Sequence, residues 1–124
     1  MAQVLRTSPT LYNLYYKLGL LSYQANKTVM AADYFSKFLQ YQPNNIPVRQ
    51  IRASIYFDNK DYNKALPDLN VVLQAEPENG AAYFQRGSSY SALNDVEKAC
   101  TDLNIALRLG YTPARKVIKA HCGK

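Results

Sequence analysis

Residues of matching type recur every 34 positions along this chain of 124 residues. Four independent series keep the period: Pro9, Pro43 and Pro77; Leu5, Leu39, Leu73 and Leu107; Ala31, Ala65 and Ala99; and Phe35, Leu69 and Leu103. A fixed period between about 20 and 50 residues is typical of chains built from stacked copies of one supersecondary unit. Each unit buries its apolar face only against its neighbours, and the stack leaves a long surface for partners. The period therefore predicts a repeat architecture.

Composition and charge bound the class of protein. The chain is 48% hydrophobic and 19% charged, as soluble globular domains are. No apolar run reaches the length of a membrane span, and the first eleven residues lack the apolar stretch of a secretory signal. The net charge is +6, and the stretch from Arg108 to Lys124 is basic without any acid. That end is either a solvated face or a landing patch for an acidic partner.

Within each period the pattern changes between two helical faces. In the third unit Tyr83, Gly87 and Tyr90 share one helix face. A polar break follows, and Asp95 is predicted to cap a second helix that stops at Gly110. Small residues fall where the two helices should cross, which lets their axes approach closely; they are Gly19, Ala53, Gly87, Ala31, Ala65 and Ala99. Each unit is thus predicted to be an antiparallel helical hairpin.

These residues resemble the tetratricopeptide repeat. The first unit, residues 12–45, carries an aromatic, Leu-Gly, Ala, aromatic and Pro in the family's order, at Tyr15, Leu18-Gly19, Ala31, Phe35 and Pro43. Residues 80–113 match similarly, and residues 46–79 match most loosely, with Arg49 in place of the aromatic. The resemblance implies one all-α domain over 1–124, a right-handed α-solenoid of three hairpins with a capping helix at 112–122.

Two features depart from the family pattern. Pro67 falls inside the predicted second helix of the second unit, where we expect a kink or a late helix start. Residues 2–9 align with the end of a second helix and are interpreted as the remnant of a preceding repeat helix. The chain is then either a fragment of a longer, bacterial repeat array or a natural half-repeat. Thr112 and Pro113 are predicted to cap and begin the final helix.

Two cysteines lie on neighbouring predicted helices. Cys100 is in the first turns of the last second helix, and Cys122 is at the end of the capping helix. Antiparallel neighbours would bring these positions together, so a disulfide is geometrically possible and the matched placement favours it. A bridge would fit an oxidising compartment such as a periplasm, whereas two free thiols would fit the cytoplasm. The sequence leaves both alternatives open.

Catalytic and metal chemistry is hard to assemble from this chain. His121 is the one histidine, and at a helix terminus it fits a solvated, dipole-stabilised position. With two cysteines it supplies three ligands at most, whereas structural zinc takes four. No glycine-rich phosphate loop appears. We expect a non-enzymatic chain without metal or cofactor.

The residues predicted to face a partner lie two and three positions from the helix-packing face of each first helix, as they do in the family. Tyr16, Leu20 and Tyr23 form a stripe that the hairpin is not expected to need for its own packing. Gln50, Ser54 and Gln85 are expected to meet a partner's backbone. The full set is Asn13, Tyr16, Lys17, Leu20, Tyr23, Gln50, Ile51, Ser54, Phe57, Phe84, Gln85 and Ser88.

The predicted function is a scaffold or adaptor that holds a peptide or partner helix in the concave groove. The family's carboxylate clamp for acidic C-termini has no counterpart, because the matching positions hold Tyr16, Leu20, Ile51, Ala81 and Gln85. One alternative is an RNA-binding helical repeat, which the high net charge suggests and the clustering of basic residues at one end opposes. Another is a structural spacer or a homo-oligomer through the open N-terminal edge, where Val4 and Leu5 lie.

Overall fold

Seven α-helices make up the part of the chain that the structure describes, residues 9–122 of a computed structural model. No strand occurs among these residues. The helices are α1 (Pro9–Gln24), α2 (Thr28–Tyr41), α3 (Ile46–Asp58), α4 (Tyr62–Ala75), α5 (Gly80–Ala92), α6 (Val96–Arg108) and α7 (Ala114–His121). Apart from Pro9, which begins α1, the predicted remnant helix of residues 2–9 lies outside the described range.

The helices pack as three consecutive hairpins, α1 with α2, α3 with α4, and α5 with α6. Each hairpin also packs on the next, through α2 on α3 and through α4 on α5, and α7 packs on α6. The second helices begin at Thr28, Tyr62 and Val96, which keeps the 34-residue period. The predicted all-α solenoid of three hairpins and a capping helix is confirmed.

The apolar core is divided among the hairpins. Phe38 and Leu39 at the end of α2 share a cluster with Val48 of α3, and Val72 and Leu73 of α4 share one with Ala82 of α5. All of these side chains are at most 6% exposed. Each hairpin therefore completes its burial only when the following helix covers it, as a quasi-one-dimensional stack requires.

The turns inside the hairpins have one repeated conformation. Asn26, Lys60 and Asn94, again 34 residues apart, all have positive φ, at 64°, 65° and 69°. In each turn the amide of the next residue donates to a carbonyl five residues back, for example Asp61 to Tyr56 at 2.8 Å. This is the Schellman arrangement, in which a left-handed residue satisfies the last carbonyls of the helix. Asparagine tolerates that conformation better than lysine does.

Lys60→Asn should therefore stabilise the fold. The substitution places in the second turn the residue that the first and third turns already use. We expect the free energy of unfolding to rise by about 0.5 kcal/mol, because the left-handed backbone strains asparagine less. Urea denaturation followed by circular dichroism measures the change. Lys60→Gln is the control, because it removes the same charge without the short side chain that favours the left-handed conformation, and it should leave stability unchanged.

The helices of each hairpin cross closely at the predicted small residues. A Cβ added to Gly19 would lie 2.5 Å from Cε1 of Phe35, and one added to Gly87 would lie 2.9 Å from Cγ of Leu103. Ala31, Ala65 and Ala99 on the opposing helices are at most 1% exposed. These contacts confirm the prediction that small residues mark the crossing points.

Two details of the sequence analysis are corrected. Of the two alternatives expected at Pro67, the late helix start is wrong, because α4 begins in register at Tyr62 and contains Pro67, while the kink stays a prediction. The cap of the last helix is Pro113 and not Thr112. The reason is that Ala114 and Arg115 bond three residues back, to Tyr111 and Thr112, so a short tighter turn precedes α7. The predicted N-cap at Asp95 is confirmed, since its carboxylate accepts from the Lys98 amide at 3.3 Å.

The capping helix is tied to the stack at its far end. Cys122, which follows α7, forms a disulfide with Cys100 of α6, and their Cα atoms lie 5.9 Å apart. At the near end Ala114 is fully buried against Ala106 and Leu103 of α6. The exposed side of α7 carries Arg115, Lys116 and Lys119. The basic residues thus lie on the outer side of the covering helix, as either a solvated face or a landing patch for an acidic partner would require.

Candidate functional site

The residues predicted to meet a partner lie on α1, α3 and α5, and we call this set the groove face. Its members on α1 include exposed side chains, namely Asn13, Lys17 and Tyr23. Those on α3 and α5 are all partly buried: Gln50, Ile51, Ser54, Phe57, Phe84, Gln85 and Ser88. Because α3 and α5 contact each other directly, the structure brings these two sets together. The face is a shallow surface, open at α1.

The aromatic and aliphatic stripe on α1 is not free of internal packing. Tyr16, Leu20 and Ile51 all pack against the first core cluster. The Tyr16 ring lies 5.4 Å from the ring of Phe38, which reaches the groove face from the end of α2. The expectation that the hairpin does not need this stripe is therefore wrong for Tyr16 and Leu20. Of the stripe, Tyr23 is the most exposed, at 40%.

The two phenylalanines of the groove face also have internal partners. Phe57 lies edge-on to Tyr62 at the start of α4, with ring centroids 5.8 Å apart. Phe84 lies 5.1 Å from Tyr111, within the cluster that α7 covers. Both side chains are partly buried. Phe84 belongs chiefly to the packing of the capping helix.

Polar side chains link neighbouring hairpins across the groove face. Gln85 donates to the Ser54 hydroxyl at 3.1 Å, and Asn79 donates to Gln50 Oε1 at 3.2 Å. Gln50, Ser54 and Gln85 therefore each use part of their hydrogen-bonding capacity internally, and their contact with a partner's backbone stays a prediction. Within residues 9–122, Gln85 Oε1 and the Ser88 hydroxyl are buried and have no hydrogen-bond partner. Buried polar atoms of this kind are commonly satisfied by an ordered water.

A small pocket opens on the groove face between α1 and α3. Its volume is about 240 Å³, and it is lined by Asn13, Tyr16, Phe38, Asn45 and Pro47. The sequence analysis missed the last three. A larger cleft of about 530 Å³ lies between α5 and α6, outside the groove face, and Arg86 and Asp102 in its wall already satisfy each other. The smaller pocket is the better candidate for a binding site, because Asn13 and Tyr16 in its lining belong to the groove face.

A buried carboxylate joins the two helices of the second hairpin and orients an arginine that reaches the first. Asp68 of α4 is fully buried and receives Arg52 through two hydrogen bonds, of 2.8 and 2.7 Å, and Arg49 through one of 3.0 Å. The remaining nitrogen of Arg52 donates to Ser36 of α2 at 2.8 Å. Burial lowers the pKa of the Arg52 guanidinium, but the hydrogen bonds and charge of Asp68 outweigh it and leave the pKa above its usual value.

The third hairpin repeats this arrangement 34 residues on. Arg86 bonds Asp102 at 2.7 and 2.9 Å and reaches Asn70 of α4 at 3.0 Å. The hydrogen bonds of Asp102 raise the pKa of Arg86, burial lowers it, and the net value stays above the ordinary one. Both guanidinium groups therefore remain charged throughout the pH range in which proteins fold. Each arginine connects its own hairpin to the preceding one and so fixes the spacing of the groove helices.

The sequence analysis missed this network, although a signal was present. Arg52 and Arg86 stand where the first unit has Leu18, in the middle of an apolar helix face. Each is followed 16 residues later by an aspartate, where the first unit has Tyr34. A charged residue at a position that is apolar in another repeat, followed at the same sequence spacing in each repeat by a residue of opposite charge, indicates a buried ion pair.

Catalytic or metal-binding constellations are not part of the groove face. Within residues 9–122 no three histidine, cysteine or acidic side chains are grouped as metal ligands would be. In the same range, every helix is too short or too polar to span a membrane. Apart from the exposed ammonium group of Lys17, the groove face offers aromatic contact and neutral hydrogen bonding.

Comparison with known proteins agrees with this geometry. The family model of the tetratricopeptide repeat matches residues 14–45 and 81–109. Among solved structures, MamA from Desulfovibrio magneticus RS-1 is 25% identical with a TM-score of 0.74, covering 80% of this chain and 56% of its own. No curated protein sequence matches the chain. The match covers 56–59% of the length of three MamA structures, so this chain spans little more than half of each.

Two further structures match over nearly their whole length. The first tetratricopeptide domain of Spaghetti (RPAP3), bound to the HSP90 peptide SRMEEVD, is 25% identical with a TM-score of 0.73, covering 91% of this chain and 94% of its own. The Arabidopsis OM64 tetratricopeptide domain, 19% identical, shares the fold with a TM-score of 0.74 and coverages of 89% and 95%. With the hairpins and their 34-residue register, these matches show that the chain belongs to the tetratricopeptide repeat family.

Proposed function

We propose that this chain binds an extended, largely uncharged peptide segment on its groove face and acts as a non-catalytic scaffold. Proteins of this family generally serve as interaction modules. The observation that carries the proposal is the groove face itself, where Tyr23 is 40% exposed and Asn13 is exposed beside a pocket walled by Tyr16 and Phe38. A peptide could pack its apolar groups on these aromatic rings while its backbone meets the neighbouring amide side chains.

The charge of the surface sets the class of peptide. The HSP90 peptide in the Spaghetti structure carries three acidic residues before its own terminal carboxylate. At the positions of the family's carboxylate clamp this chain has Tyr16, Leu20, Ile51, Ala81 and Gln85, without any cation. A carboxylate-rich ligand would lose its hydration there without gaining an ion pair. A neutral segment with apolar and amide side chains fits better.

The test selects peptides from a random library displayed on phage and measures their binding to the purified chain by calorimetry. Tyr23→Ala should weaken the selected peptides about tenfold, because an exposed aromatic anchor contributes strongly to such interfaces. Asn13→Ala should also weaken binding, because it removes an exposed amide side chain that lines the pocket on the groove face.

Val96→Ala is the matched control. Val96 is 53% exposed at the start of α6, away from the groove face. Its replacement should leave affinity unchanged, and SRMEEVD should bind much more weakly than the selected peptides. Selected peptides that bind all three variants equally well would contradict the groove face as the site.

A further inference from the structure

The pocket between α1 and α3 contains a side-chain donor whose counterpart in the next repeat is already bonded. Asn45 is partly exposed and caps α3, with its Oδ1 accepting from a backbone amide of that helix at 3.1 Å. Asn79, one repeat on, caps α5 in the same way and donates its Nδ2 to Gln50 at 3.2 Å. The first unit has Tyr16 at the position of Gln50, and Asn45 Nδ2 forms no hydrogen bond within residues 9–122. The pocket therefore has a spare donor in its lining.

Aromatic rings make up most of the apolar wall around this donor. The rings of Tyr16 and Phe38 in the lining lie 5.4 Å apart. Tyr12 extends the cluster, with its ring centroid 6.1 Å from that of Phe38 and 5.9 Å from that of Tyr41. None of the five residues that line the pocket is charged. The occupant that fits is thus an apolar group next to a neutral hydrogen-bond acceptor.

The pocket lies on the side of α1 that meets the following repeat. In this stack a preceding second helix packs on Val48 of α3, whose counterpart on α1 is Leu14. Pro47, the counterpart of Asn13, stays exposed although α2 packs on α3. A repeat that precedes α1 would therefore pack on position 14 and leave the pocket accessible.

We propose that this pocket binds a proline of the peptide and that Asn45 Nδ2 donates to a backbone carbonyl beside that proline. The inference rests on the proposed function and names its ligand class, a proline-containing extended segment. Such a segment has carbonyls without internal partners, and a proline brings no N–H that the pocket would have to accept. Aromatic-lined grooves are known to bind segments of this kind.

The spare donor also distinguishes this ligand from a partner helix. The carbonyls of a helix are bonded to amides four residues further along the same helix. A helix on the groove face would therefore leave Asn45 Nδ2 without an acceptor, at the cost of an unpaired polar group. An extended segment presents free carbonyls, so it satisfies the donor.

The experiment selects peptides for the whole chain from two displayed libraries, one random and one identical except that it lacks proline. Peptides from the random library should share a proline at one position, and replacing it by alanine should weaken binding about tenfold. Calorimetry measures the affinities. Equally tight peptides from the library without proline would overturn this inference and leave the proposed function standing. If neither library yields a peptide that depends on Tyr23, both are overturned.

Asn45→Asp is the decisive variant. A carboxylate keeps the cap of α3, as Asp95 caps α6, but it has no Nδ2 to donate. The proline peptides should bind this variant about tenfold more weakly, because their carbonyl loses its donor. Thermal unfolding followed by circular dichroism should be unchanged.

Asn44→Asp is the matched control, since it makes the same change of charge one residue away. Asn44 is exposed and lies outside the lining of the pocket, so the proline peptides should bind as they do to the parent chain. If they bind Asn45→Asp as tightly as the parent, or lose the same affinity with both variants, the proposal is overturned.

Discussion

Asp68→Ala should lower the free energy of unfolding by about 3 kcal/mol, because it strands two partly buried guanidinium groups. Arg52 loses both hydrogen bonds of its bidentate pair, and Arg49 loses its only ion-pair partner among residues 9–122. The side chains of these arginines are only 16% and 18% exposed, so water replaces the lost contacts poorly. Urea denaturation followed by circular dichroism measures the loss.

Asp33→Ala is the matched control for this prediction. Asp33 lies on α2, is exposed, and forms no ion pair within residues 9–122. Its replacement should change stability by less than about 0.5 kcal/mol, as surface substitutions usually do. If both alanine variants unfold at the same urea concentration, the carboxylate of Asp68 does not hold the two helices of the second hairpin together.

Gly19→Ala should lower the free energy of unfolding by about 2 kcal/mol, although alanine is the better helix former. The new Cβ would lie 2.5 Å from Cε1 and 2.7 Å from Cδ1 of Phe35, whose side chain is fully buried. The ring cannot withdraw without moving α2 away from α1. Chemical denaturation of the variant and the parent measures the difference.

The second hairpin suggests a second substitution that should remove the cost of Gly19→Ala. There the equivalent pair is Ala53 with Leu69, and both are fully buried. In a background that carries Phe35→Leu, the alanine should therefore cost nothing or stabilise, because the smaller side chain leaves room for the methyl group. A cost that is the same in both backgrounds would mean that the clash with Phe35 does not explain the need for glycine.

The two predictions concern the contacts that fix the spacing of the groove helices. Arg52 and Arg86 each bind an aspartate of their own hairpin and a polar side chain of the preceding one. Gly19 and Gly87 set the distance within a hairpin. Weakening either contact should also weaken peptide binding in the proposed function, since a shallow surface depends on the positions of the helices that carry it.

Much of the fold was predictable because it depends on local and periodic signals. Ala31, Ala65 and Ala99 recur at one spacing, and each is buried at a helix crossing. Asp95 caps α6 as its side chain suggested, and Gly110 follows that helix with a φ of 93°. Such signals act within a few residues or repeat from unit to unit, so one unit read correctly predicts the others.

The groove face was less predictable because its side chains have partners far along the chain. Tyr16 packs on Phe38, Phe84 on Tyr111, and Gln85 bonds Ser54, which lies 31 residues away. Helical periodicity places a residue on a face, but it does not show which neighbouring helix touches that face. The exposure of each predicted site residue was therefore beyond the reach of the sequence.

By itself the sequence determined the repeat length, the hairpin unit and the order of the helices, because these follow from the spacing of small, apolar and capping residues. Only the tertiary structure decided that Asp68 and Asp102 neutralise partly buried arginines and that Phe84 packs on Tyr111 of the segment before α7. The physical reason is that burial and charge pairing depend on which helices pack against each other. That property belongs to the stack and not to any single repeat.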